Sequence, residues 1–207
     1  MISIVDYGMG NLRSVQKGFE SVGFSARITS NPEEILDSPG IVLPGVGAFG
    51  EGMAQLNRLG IVDPISQSVK ESRPILGICL GFQLLFSESE EGGFVKGLDV
   101  FQGKVKRFSF EGKEEKELKI PHMGWNTIYI DRKSRMLEGI EEGTYFYFVH
   151  SYYVEPVDRG LVVTHTNYGI EFASSIERDN IFACQFHLEK SQAFGLKVLS
   201  NFGKLCK

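Results

Sequence analysis

A cysteine between two glycines is the first candidate for a catalytic residue in this sequence. Cys79 follows the short apolar run 75–78, and the apolar residues after it recur at helical spacing. The flanking residues Gly77 and Gly81 complete a G-x-C-x-G pattern, typical of a sharp strand-to-helix turn that presents a nucleophile. In such a turn the amide of the next residue, Leu80, points to where an oxyanion would form. The alternative is a buried, inert cysteine, because free cysteines often pack in cores.

A cysteine nucleophile needs a base, and His187 is the best placed of four histidines. Segment 181–187 is interpreted as a strand that ends at this histidine, and Glu189 follows two residues later. If the extended conformation continues, both side chains lie on one side, where the carboxylate can orient the imidazole. A surface His–Glu pair at a strand end is the alternative interpretation. The sequence contains no HExxH motif or His-rich tract, so no metal site is predicted.

A glycine-rich loop follows an earlier strand and has two interpretations. Gly45, Gly47 and Gly50 fit the G-x-G-x-x-G spacing of a dinucleotide site, for which Asp63 would be the ribose-binding acid. That acid precedes a proline between two predicted helices and follows no strand. The loop can instead share one rim with Cys79, because ligands gather at the carboxyl ends of parallel strands, and its amides could donate to an oxyanion.

These residues need elements that position them, and the first half of the chain alternates strands with helices. Strands are predicted at 2–5, 24–29, 41–43 and 75–78, with helical spacing between them. This alternation indicates a parallel sheet covered by helices on both faces. The helix after the cysteine is predicted to include Phe86, with a helix end and loop over 88–93.

The second half is richer in predicted strands. Segments 144–149, 161–166 and 171–176 have the β-branched and aromatic content of strands and are expected to extend the sheet, with a hairpin turn at 167–169. The charged stretch 111–117 is interpreted as a solvated hairpin tip. The last helix is predicted to pack through a stripe formed by Phe194, Val198, Phe202 and Leu205.

Composition narrows the class of protein. A chain of 207 residues is expected to form one domain, residues 1–207. The net charge of −4, with both signs interspersed, argues against nucleic acid as a partner. The 3 cysteines are widely separated, which favours a reducing, cytoplasmic location over a disulfide framework. No apolar run approaches the ~20 residues of a membrane span.

Several segments together resemble a known family. Segments 77–83 (GICLGFQ) and 185–189 (QFHLE) resemble the class I, triad-type glutamine amidotransferases. The more particular segments resemble the branch of this family that supplies the glutaminase subunit of imidazole glycerol phosphate synthase: 6–12 (DYGMGNL), 44–50 (PGVGAFG), 121–126 (PHMGWN) and 147–152 (YFVHSY). The resemblance covers almost the whole chain. It implies an α/β fold, with a mostly parallel, flavodoxin-like central sheet, helices on both faces and additional antiparallel strands.

The resemblance also implies roles for the candidate catalytic residues. Cys79 would attack the side-chain amide of glutamine, His187 would protonate the departing ammonia and then activate water, and Glu189 would orient the histidine. The oxyanion would be held by amides of Leu80, Val46 and Gly47. The amino-acid end of glutamine would be held by Gln83, Glu91, Ser151 and Tyr152. No cofactor and no metal are implied.

The same resemblance implies a partner. Members of this branch pass ammonia to a separate cyclase subunit in histidine biosynthesis, so a heterodimer is expected. The docking residues would be His122, Met123, Trp125, Asn126 and Lys190. The alternative for Trp125, the only tryptophan, is a core anchor.

One residue departs from the pattern of the family. Relatives usually have proline between the catalytic histidine and glutamate, whereas this chain has Leu188. Proline would preset the local φ angle, and leucine leaves the turn freer. Two other functions therefore stay open: a sister subunit that feeds ammonia to a divergent cyclase-like partner in surface-sugar amidation, or a catalytically silent docking subunit.

Overall fold

The computed structural model describes residues 1–110 and 118–206, so the predicted hairpin tip at 111–117 lies outside the described residues. The helices are α1 (Leu12–Ser21), α2 (Pro32–Leu36), α3 (Phe49–Arg58), α4 (Val62–Lys70), α5 (Leu80–Leu84) and α6 (Gln192–Leu205), with 3-10 turns at Arg135–Leu137, Arg159–Leu161 and Leu188–Lys190. The strands are β1 (Ile2–Val5), β2 (Ala26–Thr29), β3 (Ile41–Gly45), β4 (Ile75–Cys79), β5 (Phe86–Ser89), β6 (Val95–Lys96), β7 (Phe101–Arg107), β8 (His122–Thr127), β9 (Tyr129–Ile130), β10 (Tyr145–His150), β11 (Tyr152–Pro156), β12 (Val162–Asn167), β13 (Glu171–Arg178) and β14 (Ile181–Cys184).

Five parallel strands form the half of the sheet that carries the site. Their order is β2-β1-β3-β4-β14, which confirms the predicted parallel sheet. β1, β3 and β4 are buried along their whole length and are apolar except at Ser3, as expected for strands covered on both faces. In the β3–β4 register Gly45 lies opposite Cys79, so the glycine-rich loop and the cysteine leave the sheet side by side.

Beyond β14 the sheet continues through antiparallel pairs, except that β5 pairs parallel with β7. β13, β11 and β7 follow in order, then β5 and β6, while β12 and β9 branch from β13. The expectation that all the late strands extend this sheet is wrong for β10, which pairs with β8 in a separate two-stranded sheet. The physical reason is packing: β10 buries Phe146 and Phe148 against Phe186, so it lies over the core and does not join the edge of the sheet.

Helices cover both faces of the sheet, as predicted. One apolar cluster includes Phe19 of α1 and Phe202 of α6, whose rings lie 6.1 Å apart. The other cluster includes Ile35, Leu56 and Ile65 from α2, α3 and α4. The predicted stripe on α6 fails only at Phe194, which is 46% exposed.

The helix after Cys79 is shorter than the apolar spacing suggests. α5 ends at Leu84, and Phe86 begins strand β5, where it pairs with Phe101 of β7. The predicted helix end and loop at 88–93 is wrong in part, because Glu88 and Ser89 belong to β5. Pairing with a distant strand overrides a local pattern that is ambiguous over so few residues.

The turn at Cys79 depends on a very close backbone approach. Cys79 has φ 55° and ψ −107°, a conformation that residues with a side chain rarely adopt. Its neighbour Gly81 lies directly against β3, where an added Cβ would collide with the carbonyl oxygen of Leu43. Glycine is therefore required two residues after the cysteine.

We expect Gly81→Ala to lower the free energy of unfolding by about 3 kcal/mol or more, because the backbone of β3 must move to admit the methyl group. Urea-induced unfolding measures the loss. Gly50→Ala is the matched control. Gly50 lies in the first turn of α3, and an added Cβ there would make only an ordinary 3.6 Å contact with Val95. Equal stability of the two variants would contradict this account of the turn.

Candidate active site

The thiol of Cys79 lies at the floor of a cavity at the carboxyl end of the parallel strands. The cavity has a volume of about 400 Å³ and is lined by Cys79, Leu80, Gln83, Glu91, Ser151 and Tyr152, together with Val46, Gly47, Pro121, Val149, His150 and Lys190. The Sγ atom lies 3.8 Å from the carbonyl oxygen of Val149 and 3.6 Å from Nε2 of Gln185. The structure thus brings a nucleophile to a space suited to a small polar molecule.

His187 and Glu189 form a buried pair beside this thiol. Nδ1 of the imidazole lies 2.8 Å from Oε1 of the carboxylate, and their side chains are only 2% and 3% exposed. The expected extended route between them is wrong: β14 ends at Cys184, and the 3-10 turn Leu188–Lys190 brings the carboxylate back to the imidazole. A buried pair in this arrangement orients the histidine, so the surface-pair interpretation does not apply.

Leu188 takes part in the packing of this turn. Its side chain is buried in the core cluster that includes residues of α6. Its carbonyl oxygen packs directly against Gly195 of α6, where an added Cβ would collide with it. Ser191 also holds the turn, since its hydroxyl donates to the carbonyl of His187 at 2.6 Å. Packing and hydrogen bonding hold this turn without a proline at residue 188.

The electrostatics favour a protonated imidazole. Burial alone lowers the pKa of His187, but the neighbouring Cys79 and Glu189 outweigh it and raise the pKa to about 10. Among the described residues, Nε2 of His187 is buried and has no hydrogen-bond partner. An imidazolium next to a cysteine stabilises the thiolate, which is the nucleophilic form, and the unpartnered nitrogen can give up or take a proton.

The loop after β3 lies beside the nucleophile. Val46 and Gly47 line the cavity together with Leu80, and Gly47 has a φ angle of 112°, which favours glycine. Tyr7 stabilises the start of this loop, because its hydroxyl donates to the carbonyl of Pro44 at 2.7 Å. Burial raises the pKa of Tyr7 far above its ordinary value, so the hydroxyl stays a donor. The sequence interpretation gave Tyr7 no role, although a tyrosine two residues after the buried strand β1 was a signal.

The four predicted glutamine contacts all line the cavity, but some of their atoms already have protein partners. Glu91 accepts from the amide of Phe49 at 2.8 Å through one oxygen. Gln83 donates from Nε2 to the carbonyl of Tyr152 at 3.0 Å. These contacts fix the orientation of the carboxylate and the amide before any ligand arrives.

The proposed docking residues divide into two groups. Met123 and Trp125 are 62% and 46% exposed, so the core-anchor alternative for the tryptophan is wrong. Trp125 packs edge-to-face on Tyr147, with ring centroids 6.0 Å apart, and Nζ of Lys190 lies 5.4 Å from the same tyrosine ring. We call Met123, Trp125, Tyr147 and Lys190 the aromatic face.

His122 does not belong to that face, and its predicted docking role is wrong. Only 3% of His122 is exposed, because its ring stacks between Tyr168 and Phe148 at centroid distances of 4.0 and 4.9 Å. Its Nδ1 lies 2.9 Å from Nε2 of His150, and its Nε2 lies 3.1 Å from Nδ2 of Asn126. Strand alternation explains the result, since consecutive residues of β8 point to opposite sides.

The dinucleotide interpretation finds little support. Asp63 lies in the first turn of α4 and not at the end of a strand, where the ribose-binding acid would be needed. Within residues 1–110 and 118–206, no cluster of three or more His, Cys, Asp or Glu side chains could hold a metal ion. Over the same part of the chain, no helix is both long and apolar enough to cross a membrane.

Comparison with known sequences identifies the family to which the chain belongs. Residues 3–205 match the family described as Glutamine amidotransferase class-I. "Imidazole glycerol phosphate synthase subunit HisH" of Syntrophotalea carbinolica is 53% identical over 99% of this chain and 100% of its own length. The proteins of the same name from Geobacter sulfurreducens and Moorella thermoacetica are 52% and 51% identical over 99% and 100% of this chain, and over 98% and 95% of their own lengths.

Solved structures support the fold alone. A structure described as glutamine amidotransferase has a TM-score of 0.76 at 17% identity and covers 100% of this chain and 99% of its own. PurLQS from Thermotoga maritima has a TM-score of 0.74 at 20% identity, covering 100% of this chain and 98% of its own. The predicted fold class, with its additional antiparallel strands, is confirmed.

The buried pair formed by His122 and His150 should make the stability of the folded chain depend on pH. Burial lowers the pKa of His150 from 6.5 to about 3, and that of His122 to about 4. Between these values and 6.5 the unfolded chain binds protons that the folded chain excludes, so stability is lost as the pH falls below about 6.5. His150 alone should account for about 2 kcal/mol of lost stability at pH 5.

Urea unfolding of the wild type and of His150→Gln at pH 7 and pH 5 measures this effect. The variant should be less stable at pH 7 and show a smaller loss on acidification, because the excluded proton site is gone. His165→Gln serves as the control, since His165 is paired with Asp131 outside the core. An unchanged pH dependence in His150→Gln would contradict the assignment.

Proposed function

The chain belongs to the class I glutamine amidotransferase family, and we propose that residues 1–207 form one glutaminase domain whose triad is Cys79, His187 and Glu189. The domain is the glutaminase subunit of an imidazole glycerol phosphate synthase. It hydrolyses glutamine to glutamate and ammonia for a cyclase subunit in histidine biosynthesis, and we place it in the cytoplasm. The arrangement that carries the proposal is the buried histidine–glutamate pair beside a thiol at the floor of a small polar cavity.

The first half-reaction uses the proton on His187. The thiolate of Cys79 attacks the side-chain carbonyl carbon of glutamine, and the amide of Leu80 donates to the oxyanion together with an amide of the Val46–Gly47 segment. When the tetrahedral intermediate collapses, the imidazolium gives its Nε2 proton to the leaving nitrogen. Ammonia departs, and glutamate stays bound to the sulfur as a thioester.

The second half-reaction reverses the roles of the histidine. The neutral imidazole now takes a proton from a water molecule, whose oxygen attacks the thioester carbon, and the same amide donors hold the second oxyanion. Collapse releases glutamate and returns the thiolate and the imidazolium. Glu189 accepts from Nδ1 throughout, which keeps Nε2 directed at the reacting atoms.

The remaining lining residues suit the amino-acid end of glutamine. Glu91 supplies a carboxylate for the substrate ammonium, from which Oε1 of Gln83 can also accept, while the groups of Ser151 and Tyr152 supply polar contacts for the substrate carboxylate. We assign these four residues to substrate binding.

We assign the cyclase-docking surface to the aromatic face. The predicted docking role of Asn126 is not kept, because its side chain lies on the His122 side of β8, with Nδ2 3.1 Å from Nε2 of His122 and 3.0 Å from the carbonyl oxygen of Asn167. Exposed aromatic residues and methionine, here Trp125 and Met123, are residue types that protein interfaces favour over ordinary surface. The face lies next to the cavity, since Lys190 belongs to both. Ammonia released at Cys79 therefore has a short distance to travel to a bound partner. The cyclase subunit would incorporate this ammonia to give imidazole glycerol phosphate and an aminoimidazole carboxamide ribotide.

Cys79→Ala should abolish glutamate release from glutamine, because the nucleophile is lost while the glycines of the turn remain. Glutamate is measured with the purified chain alone and with the cyclase subunit plus its ribotide substrate. Cys206→Ala is the matched control, since it removes a cysteine at the end of α6 and should leave turnover unchanged. Substantial turnover in Cys79→Ala would overturn the triad assignment.

The same assay separates the alternatives. In the complex, ammonium salts should restore cyclase product formation by Cys79→Ala, because only the ammonia supply is missing. Wild-type glutamate release that ignores the cyclase and ribotide would move the acceptor to a different partner. No release by the wild type under any condition would favour a silent docking subunit.

Trp125→Ala should weaken binding of the cyclase subunit about tenfold or more, because buried aromatic residues dominate interface energies. Titration calorimetry measures the affinity. Val157→Ala is the control, since Val157 is also largely exposed but lies beyond the far end of β11. Equal affinity of both variants would exclude the aromatic face as the docking surface.

A further inference from the structure

Gln185 is a completely buried polar residue to which the mechanism above gives no task. It lies between β14 and His187, and its backbone amide donates to the carbonyl of Ser174 at 2.9 Å. Its side chain does not take part in the sheet. Instead, Oε1 lies 3.0 Å from Nε2 of Gln83, and Nε2 lies 3.6 Å from Sγ of Cys79.

The orientation of both amides follows from their partners. Nε2 of Gln83 lies 3.0 Å from two acceptors, the carbonyl oxygen of Tyr152 and Oε1 of Gln185. The backbone carbonyl can only accept, so the atom of Gln83 that faces it must be the NH2 group. The second hydrogen of that group then requires an oxygen on Gln185, which leaves the NH2 group of Gln185 directed at the sulfur.

A donor at this place matters because the sulfur is shielded from water. Only 6% of Cys79 is exposed, so solvent gives little stabilisation to a thiolate there. The carbonyl of Val149, 3.8 Å from Sγ, suits a protonated thiol and opposes an anion. Gln185 is the protein amide within hydrogen-bond distance of the sulfur that favours the anionic form.

We propose that Gln185 is a further catalytic residue, whose side-chain amide donates to the thiolate of Cys79 and holds the sulfur in its attacking position. Gln83 orients this amide from the other side, so it has a positioning task in addition to its contact with substrate. The inference deepens the proposed glutaminase function and rests on the same site. No bond is made or broken by Gln185 itself.

The test measures the thiolate directly and needs no turnover. In a Cys206→Ala background, the rate of Cys79 alkylation by iodoacetamide is followed against pH, with the fully buried Cys184 protected. Gln185→Met has a similar size but no donor, and we expect the midpoint of the pH profile to rise by about one unit. Gln185→Glu, which keeps the shape and directs an oxygen at the sulfur, should raise it further.

Gln83→Met separates orientation from donation. This variant keeps the amide of Gln185 but removes the group that orients it, so the midpoint should move less than in Gln185→Met while KM for glutamine rises. In Gln185→Met, kcat should fall about tenfold or more and KM should change little, because the contact acts on the reacting sulfur. Loss of packing alone would not shift the alkylation profile.

Unchanged alkylation midpoints in both Gln185 variants, with folding verified by urea unfolding, would overturn the proposal. Gln185→Glu keeps the experiment decisive if Gln185→Met does not fold, because glutamate has nearly the same shape as glutamine. The alkylation readout is independent of glutamine, whereas glutamate release by the wild type tests the function. The inference and the proposed function can therefore fail separately.

Discussion

The close approach of Gly81 to β3 is the constraint on which the site depends. A turn that takes the chain from β4 into α5 within one residue forces Cys79 to a positive φ angle, which costs on the order of 1–3 kcal/mol. Such a conformation persists only where the surroundings fix it, and here the carbonyl of Leu43 and the strand pairing of β4 on both sides do so. The result is a thiol that points away from the sheet into the cavity, beside the amide of Leu80.

The second requirement is that the site stabilise the charges of His187 and Glu189, which are buried away from water. His187 and Glu189 are almost fully buried, and an isolated charge there would be expensive. The anionic sulfur of Cys79 and the carboxylate of Glu189 offset this cost by raising the pKa of the imidazole to about 10, so the charged form is favoured in spite of burial. The neighbouring histidines behave differently. His122 and His150 have no acidic partner among their hydrogen-bond contacts, and burial lowers the pKa of each.

The aromatic face lies on the small sheet, and β10 of that sheet also contributes residues to the cavity. β10 directs Tyr147 to the aromatic face, while Val149 and His150 near its end line the cavity. Lys190 completes both regions from the 3-10 turn that carries Glu189. The docking surface and the catalytic pair therefore share the same short segments, and one binding event can contact residues adjacent in the chain to the triad.

Elements that depend on local chemistry can be predicted from the amino-acid sequence of this protein. Burial and backbone conformation restrict which residues can occupy such elements. For this reason the sequence predicts the apolar runs of β1, β3 and β4, the glycines around Cys79 and the helical spacing of α1 and α6. The family and the fold class followed from the same segments. Where a segment could pair or pack with more than one partner, the outcome depends on contacts that form only in the folded chain. Phe86 became a strand residue because β7 was available to pair with it, and His122 became buried because an aromatic cluster surrounds its side of β8. The amide of Gln185 acquired its orientation from Gln83, which is 102 residues distant, and local sequence cannot encode a contact made across such a separation.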